Sequence, residues 1–290
     1  MQGLTRPARN LWRDAWRRLI SNRLARVGMA IAIFFILTAA IVPYAFPYNA
    51  RIDSDLVNQL MPPSLNHLMG TDEQGRDVLV RIAHGAQASL GVGLGAVMLA
   101  VVAGTLLGLV SGYAGKSSDL VIMFLMDILL AFPGLLLAIA VVALLGYGLV
   151  NSMLAISIVS IPVYARIARA TVLSLKEQEF ITAARCVGVP SSRILFQHVF
   201  PNSLSPILVQ ATLGIATAIL EIASLGFLGL GQQPPYPEWG AMLADSVKYL
   251  TSGSWWVLLF PGLAIMLTVL GFNLLGDGLR DALDPRLRVD

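Results

Sequence analysis

Long apolar segments separated by shorter polar stretches dominate this sequence. A helix rises 1.5 Å per residue and the hydrocarbon core of a bilayer is about 30 Å thick, so about 20 apolar residues suffice to cross it. The pattern predicts six transmembrane helices and an all-α polytopic membrane protein. The predicted spans are 28–46, 86–112, 119–146, 149–165, 203–230 and 255–277.

The polar stretches between the apolar runs divide the chain into five parts. We predict, in order, a basic cytoplasmic N-tail at 1–27, a first transmembrane helix at 28–46, an external segment at 47–85, a core at 86–280 and a cytoplasmic C-tail at 281–290. The core holds five transmembrane helices and a long polar loop at 166–202.

Composition and charge support a membrane location. The chain is 56% hydrophobic and 13% charged, with a mean hydropathy of +0.73, whereas soluble domains carry about 25% charged residues. Of the 20 lysines and arginines, sixteen fall on one predicted side of the membrane and four on the other. The positive-inside rule then predicts a multi-pass cell-membrane protein with both termini in the cytoplasm, and the basic residues need no nucleic acid to explain them.

The polar loop at 166–202 contains a predicted helix–turn–helix. Phe180, Ala183, Ala184 and Val187 share one helical face, and Gly188 supplies a left-handed residue that ends the first helix. A second short helix is predicted at 192–199, ending before Pro201. Such a unit between two spans predicts a rigid protrusion that docks on a partner. The alternative is that the apolar face packs internally against the second helix.

Two further patterns lie within the predicted spans. Gly104, Gly108 and Gly112 form consecutive GxxxG steps, which favour close helix packing; a gating hinge is the alternative. Asp127 and Glu221 are acids at membrane depth, where charge is costly and suggests a function. Packing within the bundle is the competing explanation for both acids.

The predicted external segment carries Gly70-Thr71-Asp72-Glu73-Gln74-Gly75-Arg76-Asp77. Thr71 and Gln74 have the spacing of a capping box, which predicts an external helix starting there. Arg76 and Asp77 are expected to pair locally. A direct docking contact with a partner is the alternative role for this motif.

Motifs that carry enzyme chemistry are missing from the sequence. It contains no GxxxxGK[ST] phosphate loop, no HExxH pair and no cluster of cysteine and histidine. We therefore expect neither catalysis nor a metal site, and no bound ATP in this chain. An intramembrane enzyme, which would need a catalytic cluster within its spans, is disfavoured on the same grounds.

Several motifs carry a family resemblance. Thr182-Ala183-Ala184, Gly188 and His198-Val199-Phe200-Pro201 match the spacing of the "EAA" loop of ABC importer permeases, although Thr182 replaces glutamate and His198 replaces isoleucine. The 70–77 motif resembles the GTDxxGRD motif of dipeptide and oligopeptide permeases. With the segments at 225–240, 260–263 and 273–286, nearly the whole chain resembles the peptide/nickel-type ABC permeases, and the 47–85 segment resembles that of their "C" subunit.

This resemblance implies a type I ABC importer permease fold and ATP-driven import of dipeptides or oligopeptides by alternating access. It implies a second homologous permease subunit, two cytoplasmic subunits that bind ATP and magnesium, an external substrate-binding protein and surrounding lipid. Asp127 and Glu221 become candidates for the translocation path or for contact with the partner subunit. Nickel and glutathione are alternative substrates, and an ion-coupled secondary transporter is the rival class. The residues expected to couple to the ATPase are Phe180, Thr182, Ala183, Ala184, Gly188 and Pro201.

Overall fold

A computed structural model describes residues 11–49 and 53–283, most of which are helical. The described helices are α1 (Leu11–Ser21), α2 (Arg23–Ala45), α3 (Val78–Ala114), α4 (Lys116–Leu130), α5 (Gly134–Leu145), α6 (Leu149–Lys176), α7 (Glu179–Cys186), α8 (Ser191–Arg193), α9 (Phe200–Phe227), α10 (Trp239–Ser246) and α11 (Trp256–Leu283). 3₁₀ segments at Leu56–Asn58 and Val247–Ser252 and a π-helical turn at Ile194–Val199 complete the described helical elements.

Among the described residues, five helices are long and apolar enough to cross a membrane: α2, α3, α6, α11 and the continuous helix Ser191–Phe227. A sixth span arises if α4 and α5 are taken together, although they meet at a bend of 95°. The prediction of an all-α polytopic membrane protein is therefore confirmed. The predicted span at 119–146 is not one straight helix, because Pro133 cannot continue α4.

Helix α3 lies at the centre of the bundle and packs against α6, α9 and α2, while α11 packs against α2 and α9. The α3–α6 contact is close because glycine lines it. A Cβ built on Gly104 would lie 2.6 Å from Ile161 O, and one on Gly108 would lie 2.3 Å from Ala165 O. These contacts support the packing interpretation of the GxxxG steps.

Several helix ends differ from the predicted ones. Helix α2 begins at Arg23 rather than 28, because Asn22 caps it by accepting from Leu24 N and Ala25 N. Helix α11 runs to Leu283, beyond the predicted core limit at 280. Residues 1–10 and 284–290, which belong to the predicted tails, lie outside the described residues.

Helix α3 begins at Val78, not at 86, because the side chain of Asp77 accepts from Val80 N and caps the helix. The segment between α2 and α3 is thus 46–77, shorter than the predicted 47–85. Helix α6 continues past the predicted end at 165 to Lys176, with Pro162 inside it. Proline removes one backbone hydrogen bond there, and it is tolerated because the neighbouring helices hold α6 in place.

The predicted separate helix at 192–199 is wrong. Residues Ser191–Phe227 form one continuous helix with a π turn at Ile194–Val199. In this turn Phe200 N donates to Leu195 O, five residues earlier. The wider turn accommodates Pro201, which has no N–H to donate, so the chain continues through the proline instead of ending before it.

Candidate functional site

Helix α7 lies between the end of α6 and the π turn, and these elements form what we call the α7 unit (177–200). The side chain of Ile181 is 0% exposed and anchors α7 in a small apolar cluster. Leu109, Val172, Ile194 and Val199 are the other buried members of that cluster. The unit is therefore fixed to α3 and α6 by a core of its own, as a rigid protrusion requires.

The predicted apolar face of α7 is divided by this packing. Phe180 and Val187 are 45% and 80% exposed, and Ala183 is also exposed. Ala184 is half-buried and packs against the Ile181 cluster. Thr182 is exposed, and so is Pro201, the first residue after the unit. Part of the face thus packs internally, as the alternative hypothesis required, while Phe180, Ala183 and Val187 are left uncovered in this chain.

Gly188 ends α7 in the predicted left-handed conformation, with φ of +79°. Gly188 N donates to Arg185 O and Val189 N donates to Ala184 O, each at 3.0 Å. This pair of bonds is the Schellman motif, in which glycine is favoured. The prediction for Gly188 is confirmed at the level of backbone geometry.

The base of the α7 unit is tied to α3. Lys176 Nζ donates to Gly112 O at 3.1 Å and lies 5.6 Å from the centre of the Tyr113 ring. The end of α6, directly before the α7 unit, is therefore held to the end of α3 by a charged side chain.

Two ion pairs join α4 to α6. Arg166 Nη2 donates to Asp127 Oδ1 at 2.6 Å, and Arg169 Nη2 donates to Asp119 Oδ2 at 2.6 Å. The Asp127 pair is more than half exposed in this chain. Asp127 therefore has a structural partner that the sequence did not identify, because Arg166 lies 39 positions away on another helix.

One face of α9 carries a stripe of polar residues that recurs at helical spacing, which we call the α9 stripe: Gln210, Gly214, Thr217, Glu221 and Ser224. No hydrogen bond to another described residue is formed by the side chains of Gln210, Thr217 or Glu221, whereas Ser224 donates to Leu220 O of its own helix. All five residues are at least partly exposed in this chain.

Glu221 lies beside the break between α4 and α5. A Cβ built on Gly134, the first residue of α5, would lie 3.9 Å from Glu221 Oε1. At Gly214, seven residues before Glu221 on the same stripe, the Tyr164 hydroxyl of α6 occupies the space that a side chain would need. The break between α4 and α5 therefore lies next to Glu221, while the Tyr164 hydroxyl packs against Gly214.

The 70–77 motif forms a folded loop, and its last residue, Asp77, caps α3. Thr71 Oγ1 donates to Asn58 O at 2.6 Å and accepts from Met61 N at 2.8 Å. The predicted capping box of Thr71 with Gln74 is wrong, since this hydroxyl is used within the loop. Gly70 and Gly75 both have positive φ, and a Cβ on Gly75 would lie 1.7 Å from Asp55 O.

Charged residues of the motif pair differently from the prediction. Arg76 Nε donates to Asp72 Oδ2 at 2.7 Å, whereas Asp77 pairs with His67 Nδ1 at 2.9 Å. Arg81 also donates to Asp72 Oδ2. The expected Arg76–Asp77 pair is wrong, because Asp77 caps α3 and pairs with His67 while Arg76 pairs with Asp72.

Glu238 is a buried residue that the sequence did not single out. It caps α10 by accepting from Gly240 N and Ala241 N, and it accepts from Ser89 Oγ of α3 at 3.0 Å. Burial raises the pKa of Glu238, while the hydrogen bonds from Gly240, Ala241 and Ser89 oppose that rise. The sequence does contain a signal for this cap, because Glu238 directly precedes an apolar helical run.

A family model described as "binding-protein-dependent transport system inner membrane component" matches residues 104–289, which include the α7 unit and the α9 stripe. The chain belongs to this family. Residues 10–63 match a second model, the N-terminal transmembrane domain of oligopeptide transport permease C. This permease is therefore a multi-pass inner membrane component of a transporter that works with an ATPase and a binding protein. The hypotheses of an ion-coupled secondary transporter and of an enzyme are excluded.

Named relatives match this permease along nearly its whole length. It is 52% identical to the dipeptide transport system permease protein DppC of Alkalihalophilus pseudofirmus, over 96% of this chain and 90% of the relative. It is 46% identical to the di/tripeptide transport system permease protein DppC of Pseudomonas aeruginosa, over 95% and 92%. It is 47% identical to the glutathione transport system permease protein GsiD of Escherichia coli, over 97% and 92%.

Among solved structures, this permease matches one of the inward-facing MetNI methionine ABC transporter. The TM-score is 0.56, with 18% sequence identity over 71% of this chain and 96% of that chain. This likeness concerns the fold alone. The predicted ABC importer permease fold is confirmed.

Proposed function

We propose that this permease carries short peptides into the cell as one transmembrane subunit of an ATP-driven importer. The observation that carries the proposal is the end-to-end similarity to two permeases named for dipeptides or di- and tripeptides. The similarity to a glutathione permease agrees with it, since glutathione is itself a tripeptide. Glutathione is therefore the second candidate substrate, and nickel is a third that only the sequence resemblance suggests.

In this proposal the α7 unit is the contact with a cytoplasmic ATPase subunit. Its support is the rigid inner cluster around Ile181 together with the uncovered side chains of Phe180, Ala183 and Val187. Exposed apolar surface of this kind marks a partner site. Thr182, Ala184, Gly188 and Pro201 complete the coupling residues, with Ala184 and Gly188 fixing the shape of the unit rather than touching the partner.

The α9 stripe is the proposed wall of the translocation path. Polar side chains in a membrane span face a bundle interior or a water-filled cavity, and Gln210, Thr217 and Glu221 find no partner within the described chain. The stripe therefore faces either the path or the second permease subunit. Asp127 is the weaker path candidate, because Arg166 already neutralises its charge.

The assembly we propose contains this chain, a second homologous permease, two ATPase subunits that hold ATP and magnesium, and an external binding protein. Both termini and the α7 unit face the cytoplasm. The 70–77 loop faces outward, where the exposed side chains of Val57 and Leu65 in the same segment offer contacts to the binding protein. ATP then drives transport by favouring one state of the assembly over the other.

Transport in proteoliposomes tests the proposal. The permease is reconstituted with its neighbouring permease, ATPase and binding-protein subunits, and uptake of radiolabelled dipeptide, glutathione and nickel is compared. We expect ATP-dependent uptake of dipeptide that requires the binding protein. Uptake of glutathione or nickel without dipeptide uptake would overturn the assignment of substrate, and dipeptide uptake without ATP would overturn the mechanism.

A further inference from the structure

Helix α1 has two neighbouring apolar sides, and the described residues cover only one of them. Ala15 and Leu19, spaced i, i+4, are buried in an apolar cluster with residues of α2 and α11. Trp16 and Ile20 have the same spacing one residue further round the helix, and they are 55% and 42% exposed. The apolar surface of α1 is therefore wider than its contact with the rest of the described chain.

The connection between α1 and α2 places α1 at the membrane surface. Helix α2 has 23 residues. At 1.5 Å per residue it is about 35 Å long, which is enough to cross the hydrocarbon core. Asn22 alone separates the two helices, and its extended conformation, with ψ of 120°, turns the chain there. Helix α1 therefore does not prolong the span, and it lies beside the start of α2 at the level of the lipid headgroups.

Basic side chains border the uncovered apolar side of α1. Arg13 and Arg17, again spaced i, i+4, are exposed, and neither forms an ion pair with another described residue. Arg18 lies on the opposite border, where it lines a cleft together with Asp281 of α11. The acid of this helix, Asp14, precedes Arg18 by one turn and belongs to that same border. Positive charge without a neighbouring carboxylate is thus concentrated beside the uncovered side.

We propose that α1 binds anionic phospholipids through this uncovered side. Trp16 and Ile20 lie among the upper parts of the acyl chains, and Arg13 and Arg17 donate hydrogen bonds to the headgroup phosphates. Tryptophan is favoured at this depth, because its ring is apolar while its N–H stays within reach of water. Guanidinium groups bind phosphate through paired, charge-assisted hydrogen bonds. An apolar helical side bordered by arginines is typical of helices that lie in the membrane interface.

Lipid is favoured over a protein as the occupant because exposed apolar residues continue along the chain into the span. Leu24 and Val27, in the first two turns of α2, are 63% and 51% exposed, as side chains that face lipid are. Arg23, the first residue of α2, adds another exposed guanidinium at the same level. Because the covered side of α1 packs on α11, bound lipid also fixes the ends of α2 and α11 at the membrane surface.

Fluorescence quenching by labelled lipids tests this surface. In a Cys186→Ser background, Ile20→Cys carries an NBD fluorophore in the transporter assembled with cysteine-free partner subunits. The complex is reconstituted into phosphatidylcholine vesicles that contain the same small fraction of doxyl-labelled phosphatidylglycerol or doxyl-labelled phosphatidylcholine. We expect quenching at position 20 by both lipids, with a preference of about fivefold for phosphatidylglycerol, the effect of one arginine near an anionic surface.

Leu37→Cys is the control for the probe, since Leu37 is 49% exposed within α2 and should be quenched equally by the two lipids. Arg13→Gln combined with Arg17→Gln should abolish the preference at position 20 and leave quenching by phosphatidylcholine unchanged. Arg18→Gln, on the border that faces α11, should keep the preference. Equal quenching of the unsubstituted helix by both lipids would overturn the anionic site, and the absence of quenching would show that a protein subunit covers α1.

Discussion

At the scale of single residues, glycine determines how closely the central helices approach one another. A Cβ on Gly108 would meet the backbone oxygen of Ala165 at 2.3 Å, which neither α3 nor α6 can relieve without moving. Gly91 on the same helix has nothing within 4 Å of its built Cβ. The two positions share a backbone conformation and differ in what a side chain would meet.

We predict that Gly108→Val destabilises the permease by about 1 to 3 kcal/mol, the usual cost of overpacking a core. Unfolding of the detergent-solubilised protein measures this cost. Gly91→Val is the control, because it changes helix propensity equally without a clash. Equal stability of the two variants would show that the α3–α6 contact adjusts freely, which would favour the hinge interpretation.

Gly188 illustrates the other use of glycine, in which conformation rather than space is limiting. Nothing lies within 4 Å of a Cβ built there, but φ is +79°. A β-branched residue is strained in that region. We predict that Gly188→Val misplaces α7 and lowers both transport and stimulated ATP hydrolysis several-fold, while the binding protein retains its affinity for substrate.

Gly253→Val serves as the control for Gly188→Val. Gly253 has φ of +83° and equally open surroundings, but it lies before α11 and far along the chain from the α7 unit. It imposes a similar backbone strain elsewhere, so coupling should persist. Normal coupling in the Gly188 variant at normal expression would mean that the turn is not needed for the function of α7.

A residue's conformation was predictable where neighbouring residues determine it. Hydrogen-bond partners were not predictable where they lie several positions away along the chain. The left-handed turn at Gly188 was predictable because the glycine precedes Pro190 within two residues and follows an apolar helix. The pairing of the 70–77 motif was not, because Asp77 meets His67 from ten positions upstream. Adjacent charges such as Arg76 and Asp77 suggest a pair, but each of them bonds to another residue of the loop.

At the scale of elements, some side chains of α7 are packed in the inner cluster and others are left exposed. Ile181 and Ala184 face the inner cluster, whereas Phe180, Ala183 and Val187 face away from it. A bulky residue at Ala184 would therefore disturb the unit itself, and Ala183 is the better probe of docking. This division follows from the position of α7 against the π turn, which the sequence alone did not reveal.

We predict that Ala183→Trp weakens retention of the ATPase subunit about tenfold, since overpacking a close interface costs about one to three kcal/mol. Pull-down of the ATPase subunit with the tagged permease measures the effect. Ser192→Trp, at an exposed residue on the other arm of the unit, should retain the subunit. Full retention by a folded Ala183 variant would place the docking surface elsewhere.

The α9 stripe gives a prediction of a different kind. Glu221→Gln removes a negative charge without breaking a hydrogen bond, because no described residue bonds to this carboxylate. We predict that Glu221→Gln lowers the rate of peptide uptake several-fold while the assembly remains intact and still hydrolyses ATP. The measurement is uptake against time in proteoliposomes at equal protein content.

Ser224→Ala is the control within the stripe, because the Ser224 hydroxyl already bonds to Leu220 O of its own helix. Its transport rate should stay near that of the wild type. If Glu221→Gln instead separates the two permease subunits on a sizing column, then this residue serves the subunit interface and not the path.

Helix existence was predictable from apolar runs, while helix ends and continuity were not. Proline was the main cause of error, both where a helix was expected to end and where it was expected to continue. Pro201 was expected to follow the end of a helix, and the span that contains Pro162 was expected to end at 165, yet α6 and the helix Ser191–Phe227 continue through these prolines. Pro133, inside a single predicted span, lies instead at a 95° bend. Packing against other helices decides whether a helix continues through a proline, and the residues next to the proline in sequence do not reveal that packing.

At the scale of the whole molecule, the bent α4–α5 pair determines the topology. If the pair crosses the membrane, the segment between α2 and α3 and the α7 unit lie on opposite sides. If it enters and leaves on one face, α6 crosses in the other direction and both lie on the same side. The charge distribution favours the crossing, because Arg185 and Arg193 of the α7 unit then belong to the side that carries sixteen of the 20 lysines and arginines.

The chain contains a single cysteine, Cys186, which is exposed on α7 and reports directly on this choice. We predict that a membrane-impermeant maleimide leaves Cys186 unlabelled in intact cells that lack the ATPase subunits, and labels it once the membrane is opened. In a Cys186→Ser background, Leu65→Cys provides the opposite report, since Leu65 is 96% exposed. It should label in intact cells. Labelling of both positions from outside would show that α4 and α5 do not cross, and would move the α7 unit away from any cytoplasmic ATPase.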